Sequence, residues 1–273
     1  NLKSGKPGTQ TKVVSVVPSV PGVKLRNEVM ASTKNANDAW IYGGPEAATL
    51  LIQGTIPANR SSFAVKGAIH HPDACFRAEL EKRLKGKGIT LDKQKIEDGE
   101  RHALLTTVSP FLKDIVYYTN KNSINLFAEA LGELISPTDY ARTVKAELSG
   151  MGIDSCGITL KDASGLSPAN AVPAEVFTDL LIWAKGHLSD AFVASLPQGN
   201  VDWGLRIYSD HPVLRENVIA KTGSMSGVRA LAGYLKTQRG ETLAFTILVN
   251  NYVGDPVKVQ EIIRDLLKEF ADK

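Results

Sequence analysis

The sequence predicts an α+β fold, and three observations lead there. Apolar, β-branched runs at 218–221, 228–235 and 242–250 follow one another across short polar links, as in an antiparallel sheet. Directly after them, residues 256–270 place Val259, Ile262, Ile263, Leu266, Leu267 and Phe270 on one side of an amphipathic helix. Upstream, between 109 and 196, apolar residues recur at helical spacing. A helical block beside a sheet that a terminal helix covers belongs to the α+β class.

The elements follow in order. Residues 1–10 are rich in Lys, Gly, Thr and Gln and read as a loose surface segment. Short apolar runs at 13–17, 24–30, 39–42, 50–53 and 63–69, broken by Pro, Gly and Asn, predict a β-rich subdomain over about residues 1–70. His71-Pro72-Asp73 opens a helix with proline in its first turn, and Gly86 and Gly88 stop it. Residues 89–92 and 102–108 are candidate short strands. Helices are expected at 111–118, 122–134, 138–151 and 174–186, with a further short one at 189–196. Between the third and fourth lies a polar, turn-rich loop, 161–167, and Gln238-Arg239-Gly240-Glu241 reads as a hairpin turn. Residues 71–273 thus form the second and larger domain.

Bulk properties narrow the function. The chain has 273 residues, 43% hydrophobic and 22% charged, with a net charge of +3. So small a charge, spread among acids and bases, argues against a nucleic-acid partner. The basic run 82–87 sits at the end of a predicted helix, where cations complement the helix dipole. No apolar run reaches the roughly 20 residues that span a bilayer, so at most peripheral membrane association is expected. Cys75 and Cys156 fit two buried thiols, one disulfide, or one of each. Neither lies in a metal-binding spacing, and the adjacent His70 and His71 would face opposite ways on a strand. No metal and no cofactor are predicted.

Two clusters could carry chemistry. Lys221-Thr222-Gly223-Ser224 ends an apolar strand. There the lysine offers charge, the hydroxyls offer donors, and the glycine admits a ligand backbone, a combination suited to a carboxylate. An edge strand could also pair with an extended peptide. The competing reading is a sheet-end turn with a solvated lysine. Ser123-Ile124-Asn125 is placed at a helix start. From there a hydroxyl able to relay a proton and an amide able to hold a carbonyl could share one cleft. The competing reading is an N-cap serine.

With these residues in view, a resemblance emerges. The stretch 119–131 around Ser123 and Asn125 resembles the Ser-x-Asn helix of the penicillin-binding protein 4 family. These are the class C, low-molecular-mass D-alanyl-D-alanine carboxypeptidases and endopeptidases. Residues 162–170, Asp-Ala-Ser-Gly-Leu-Ser-Pro-Ala-Asn, resemble that family's Asp-Gly-Ser-Gly-Leu-Ser loop. Lys221 to Tyr234 resembles its Lys-Thr-Gly strand and the Leu-Ala-Gly-Tyr strand that follows, Asn250-Asn251 matches that sheet's end, and residues 63–89 resemble the segment where inserted domains rejoin. The likeness covers most of the chain, and its motifs are specific as a set.

The resemblance implies a β-lactamase/transpeptidase-like domain and an extracytoplasmic, periplasmic bacterial serine peptidase. Its substrate would be the D-Ala-D-Ala end, or D-Ala cross-links, of peptidoglycan stem peptides, and β-lactams would trap it as an acyl-enzyme. By analogy Ser123, Asn125 and Lys221 are catalytic, Thr222, Gly223 and Ser224 bind substrate, and a backbone N–H near Ser224 completes an oxyanion hole. One departure bears on activity. The family's nucleophile comes from Ser-x-x-Lys, yet no serine here has lysine three residues on, and Ser32-Thr33-Lys34 has the wrong spacing. The expectation is therefore a C-terminal part of a longer protein, beginning inside an inserted domain, inactive alone and partnered by its own N-terminal segment. A non-catalytic peptidoglycan-binding or scaffold protein that keeps the cleft is the alternative. Ile124, where the family often has a polar residue, and Pro168, where it often has arginine, bear on substrate detail.

Overall fold

A computed structural model describes residues 1–44, 47–69, 71–90, 103 and 105–272. The chain divides into two compact units, Asn1–Ala103 and Leu104–Lys273. This division falls later than the 70/71 boundary expected from composition and places the helix after His71 in the first unit.

The first unit is built on β1 (Leu2–Lys3), β2 (Lys12–Val13), β3 (Lys24–Ser32), β4 (Asp38–Tyr42), β5 (Thr49–Pro57) and the helix α1 (Pro72–Gly86). β1 and β2 form a two-stranded antiparallel ladder. The main sheet has the order β3-β5-β4, with β3 and β5 parallel and β4 antiparallel to β5. Val29, Ala39, Ile52 and Ile56 alternate inward from the three strands and bury a core with Leu2. Strand structure is shorter than expected at both flanks. Residues 14–17 and 64–69 are irregular, and Phe63 makes only an isolated bridge to Leu2. The candidate strands 89–92 and 102–108 are irregular at 89–90, 103 and 105–108, and their other residues, like His70, lie outside the described set. Cys75 is buried and Cys156 exposed, with no disulfide between them.

The second unit opens with helices α2 (Leu112–Asn122), α3 (Asn125–Ile135), α4 (Tyr140–Gly150), α5 (Ala174–His187) and α6 (Asp190–Ser195). A 3-10 turn (Trp203–Tyr208) and the short helix α7 (Pro212–Asn217) follow. The chain then runs through β6 (Val218–Met225), β7 (Val228–Lys236), β8 (Thr242–Asn250) and α8 (Pro256–Ala271). The three strands form an antiparallel meander of order β6-β7-β8. Asp255 caps α8 by accepting from the Val257 N–H at 2.9 Å, and Pro256 supplies the helical φ at the first position. Ile263, Leu267 and Ala271 of α8 then close over Val218, Ala220, Leu231 and Leu235, the terminal helix on a sheet that the periodicity predicted. Leu205 and Leu214, from the two short elements at 203–208 and 212–217, join that core with no exposed surface. Truncating either to alanine belongs to the class of core deletions that cost about 2–5 kcal/mol. On the other side Tyr234 packs with Leu181 and Leu196, and its hydroxyl donates to the Leu181 carbonyl at 2.6 Å. No described helix is long and apolar enough to cross a membrane.

Candidate active site

Expectation and structure differ first at Ser123. Instead of starting a helix, Ser123 ends α2 in the left-handed conformation, with φ 53° and ψ 52°. Ile124 then becomes the N-cap of α3 without a side-chain cap bond. The junction expected between the helices 111–118 and 122–134 thus falls later, with α2 running to Asn122 and α3 beginning at Asn125 so that the two meet at a corner, and the N-cap role for the serine falls away. A non-glycine residue in this conformation costs about 1–2 kcal/mol, and such cost at one residue is a common mark of functional sites. The corner leaves the hydroxyl turned away from its own helix, where it accepts from Lys221 Nζ at 2.9 Å, across 98 residues of sequence.

Left-handed strain at Ser123 has a measurable consequence. Ser123→Gly and Ser123→Ala both delete the hydroxyl, but only alanine keeps the strained Cβ. The glycine variant is expected to be the more stable by about 1 kcal/mol in urea unfolding, the reverse of the usual order. Equal stabilities, or alanine ahead, would contradict the left-handed corner.

Lys221 lies midway along β6. Its ammonium also donates to the Thr222 carbonyl at 2.8 Å. Burial lowers its pKa from the ordinary lysine value, because a partly desolvated ammonium is penalised relative to the neutral amine. Backbone geometry explains why this strand can act as an edge. Among the described residues, the backbone of β6 pairs on its outer side with another segment's backbone only at its start, where Ala220 N–H donates to Pro197 O at 2.9 Å and Gly199 N–H to Val218 O at 3.0 Å. Alternation then directs the N–H groups of Thr222 and Ser224 to that same outer side. No described strand pairs with it there. Thr222 packs against the 3-10 turn, so closely that a Cβ on Gly204 would lie 3.4 Å from its Oγ1. Gly223 is half-buried, while Ser224 and Asn125 are exposed.

The structure therefore joins Ser123 to Lys221 directly and aligns Thr222, Gly223 and Ser224 along the same open edge. Asn125 stands in the first turn of α3, two residues past the corner.

The loop 162–170 is built around one carboxylate. Asp162 accepts from the N–H groups of Gly165 and Ser167 at 3.0 and 2.8 Å, from the Asn170 amide at 2.7 Å and from the Ser164 hydroxyl at 3.2 Å. Burial alone would raise its pKa. The Asn170 amide, the two N–H groups and the Ser164 hydroxyl outweigh burial and hold the carboxyl below the usual aspartate range. Glu129 on α3, one turn after Asn125, accepts from the N–H groups of Ala163 and Ser164 at 3.0 and 2.9 Å. Close contact seals the joint, since a Cβ on Gly132 would meet that of Ala163 at 2.4 Å. Residues i and i+4 share a helix face, so the loop is fastened to the stripe of α3 that carries Asn125. The sequence reading named this loop but not Glu129, whose role depends on a contact 34 residues away.

A carboxyl with a lowered folded pKa contributes stability above its unfolded pKa and loses it as pH falls through the folded one. Asp162 should therefore hold the loop ordered at neutral pH and release it below about pH 4. In Asp162→Asn the acid-dependent part of loop exchange, read by amide hydrogen exchange of Gly165 and Ser167, should vanish. If it persists, another group drives it.

The model of the D-Ala-D-Ala carboxypeptidase 3 (S13) family matches residues 1–273. A D-alanyl-D-alanine carboxypeptidase of Actinomadura sp. (strain R39) is 31% identical over 277 residues, which span 91% of this chain and 50% of that protein. The D-alanyl-D-alanine carboxypeptidase DacB of Haemophilus influenzae is 30% identical over 75% of this chain and 46% of its own length. The chain thus spans about half the length of these relatives. The crystal structure of penicillin binding protein 4 (dacB) from H. influenzae, complexed with a β-lactam, superposes with a TM-score of 0.79. It is 26% identical, covering all of this chain and 68% of that one. Together with the mixed helix-and-sheet architecture, these matches give the chain a penicillin-binding-protein fold. This chain belongs to the D-Ala-D-Ala carboxypeptidase (S13) family.

Proposed function

We propose that this chain is the substrate-binding part of a serine D,D-carboxypeptidase or endopeptidase acting on peptidoglycan stem peptides outside the bacterial cytoplasm, in the periplasm where there is one. The observation that carries it is the 2.9 Å contact between Lys221 Nζ and Ser123 Oγ beside the open edge of β6. Lys221, with the Thr222 and Ser224 hydroxyls, supplies charge and donors for a terminal carboxylate. The outward N–H groups of β6 pair with an extended peptide, and that of Ser224 serves a developing oxyanion. Asn125 holds a substrate amide, while Ser123 passes a proton between the leaving group and the lysine.

None of these groups is an acylating nucleophile. A Ser-x-x-Lys serine on an N-terminal segment of the same protein fills that role in this proposal.

The test is intact-mass spectrometry of the full-length gene product before and after benzylpenicillin. A gain of one penicillin, on a peptide outside these 273 residues, is the expected result. A full-length product that takes no adduct yet binds stem peptides would replace this proposal with a non-catalytic peptidoglycan-binding protein. Adduct on a residue of this chain would overturn the division of labour.

A further inference from the structure

Two residues before Ser123 stands a second lysine. Lys121, in the last turn of α2, donates to the Leu196 carbonyl at 2.7 Å and to Asp202 Oδ2 at 3.0 Å. Side-chain exposure is only 11% for the lysine and 20% for the aspartate. Lysine at the end of a helix is ordinarily solvated, and it is seldom shielded unless paired. A shielded ion pair contributes little net stability, because desolvation offsets most of the attraction. Its known structural use is to fix one arrangement among several.

The connections of the pair show which arrangement is fixed. Asp202 Oδ2 also accepts from the Gln198 N–H at 2.7 Å, which locks the loop 196–202 into one shape. Pro197 and Gly199 of that loop bond to Ala220 and Val218 of β6, and Ala220 is the residue before Lys221. A closed circuit results, running from Ser123 back two residues to Lys121, across to the loop, on to β6, and through Lys221 to Ser123. Backbone bonds close the corner locally, with the Ser123 and Ile124 N–H groups both donating to the Thr119 carbonyl, so what the neighbours supply is the placement of the end of α2 against β6. Asn120 provides a separate anchor, its amide donating to the buried Ser195 hydroxyl at 2.8 Å. Loss of Lys121 should therefore shift the end of α2 without unfolding it.

We propose that the Lys121–Asp202 ion pair is a positioning device that sets the distance between Ser123 and Lys221. Resting on the assignment of those two residues above, it adds Lys121 and Asp202 to the machinery as groups that touch no substrate. Misplacement of a reacting group by about 1 Å can cost on the order of 100-fold in rate.

The experiment uses the full-length protein with benzylpenicillin. Lys121→Met should slow acylation by about 10- to 100-fold while every folded molecule still takes up one penicillin. Lys121→Arg, which keeps the charge, should recover most of the rate. The deciding measurement is a double-mutant cycle. On a Ser123→Ala background, Lys121→Met should change the rate by less than about twofold, because its effect passes through the missing hydroxyl. A full additive loss there would overturn the proposal and make Lys121 a general support of the fold. If Lys121→Met does not fold, Asp202→Asn, which keeps an acceptor for the Gln198 N–H, enters the same cycle. Unchanged acylation in the Lys121→Met or Asp202→Asn variant also overturns it. Wild-type acylation in Ser123→Ala alone sinks the site assignment instead, a separate outcome. Should the parent protein take no penicillin, the lysine ε-carbon NMR titration of Lys221 decides. Lys121→Met should move it toward the ordinary lysine value, and an unmoved titration overturns the proposal.

Discussion

Replacing Lys221 by alanine in the full-length protein is expected to cut the rate of acylation by benzylpenicillin by about 1,000-fold or more. Two losses combine. The ammonium donates to Ser123 Oγ and to the Thr222 carbonyl, so its removal takes away the partner that orients the serine. It also removes the positive charge at the open edge of β6, where the carboxylate of a β-lactam or stem peptide is proposed to sit, and charge-assisted bonds are about twice as strong as neutral ones. Stability should move little, by less than about 1 kcal/mol, since Lys221 sits at a sheet edge and its burial is already penalised. Stopped-flow acylation and thermal unfolding of the same samples separate the two effects. Acylation within tenfold of the parent would remove Lys221 from the catalytic site. A fall matched by collapse of the melting transition would make its role structural.

Legibility in the sequence followed the range of the interactions. The β6-β7-β8 meander and α8 were readable because alternation and 3.6-residue spacing are local signals, and the caps Asp255 and Pro256 mark the helix start. The parallel pairing of β3 with β5 was not readable. Period-two alternation is the same for parallel and antiparallel partners, and β4 enters between the two in sequence but at the edge in space. Nor was the corner at Ser123. A helix end near 118 and a new start at 122 were expected, but residues 119–131 contain no glycine or proline to mark the turning residue, and the partners of Asn120 and Lys121 lie 75 and 81 residues distant. The elements at 203–208 and 212–217 are too short for any period to register, though Pro212 at the head of the second was a usable start signal. The motif residues themselves could be named from sequence. Their supports, Glu129, Lys121 and Asp202, could not, because each is an ordinary charged residue until the fold gives it a partner.

Gly233 tests how tightly that site depends on the sheet beneath it. It faces Ala220 across the β6–β7 ladder. A Cβ placed on it would come within 2.1 Å of the Ile219 carbonyl oxygen and 2.5 Å of the Ala220 Cα. Both are backbone atoms, so no rotamer change can relieve the overlap, and β6 itself must move. Overpacking of this kind costs typically 1–3 kcal/mol and sometimes more, and Gly233→Val, with two further methyl groups, should lie at or above about 3 kcal/mol. The displaced strand carries Ala220 and therefore Lys221, which would lose its 2.9 Å contact to Ser123. Stability and acylation should accordingly fall together, in contrast to Lys221→Ala, where acylation falls alone. Gly186→Ala is the control, because it lies in α5 with nothing within 4 Å of the added Cβ and should be neutral or stabilising by about 0.5 kcal/mol. Urea unfolding of the three proteins would decide. Were Gly233→Val as stable as the parent, the β6–β7 ladder could not approach so closely at that point, and the placement of Lys221 built on it would fail too.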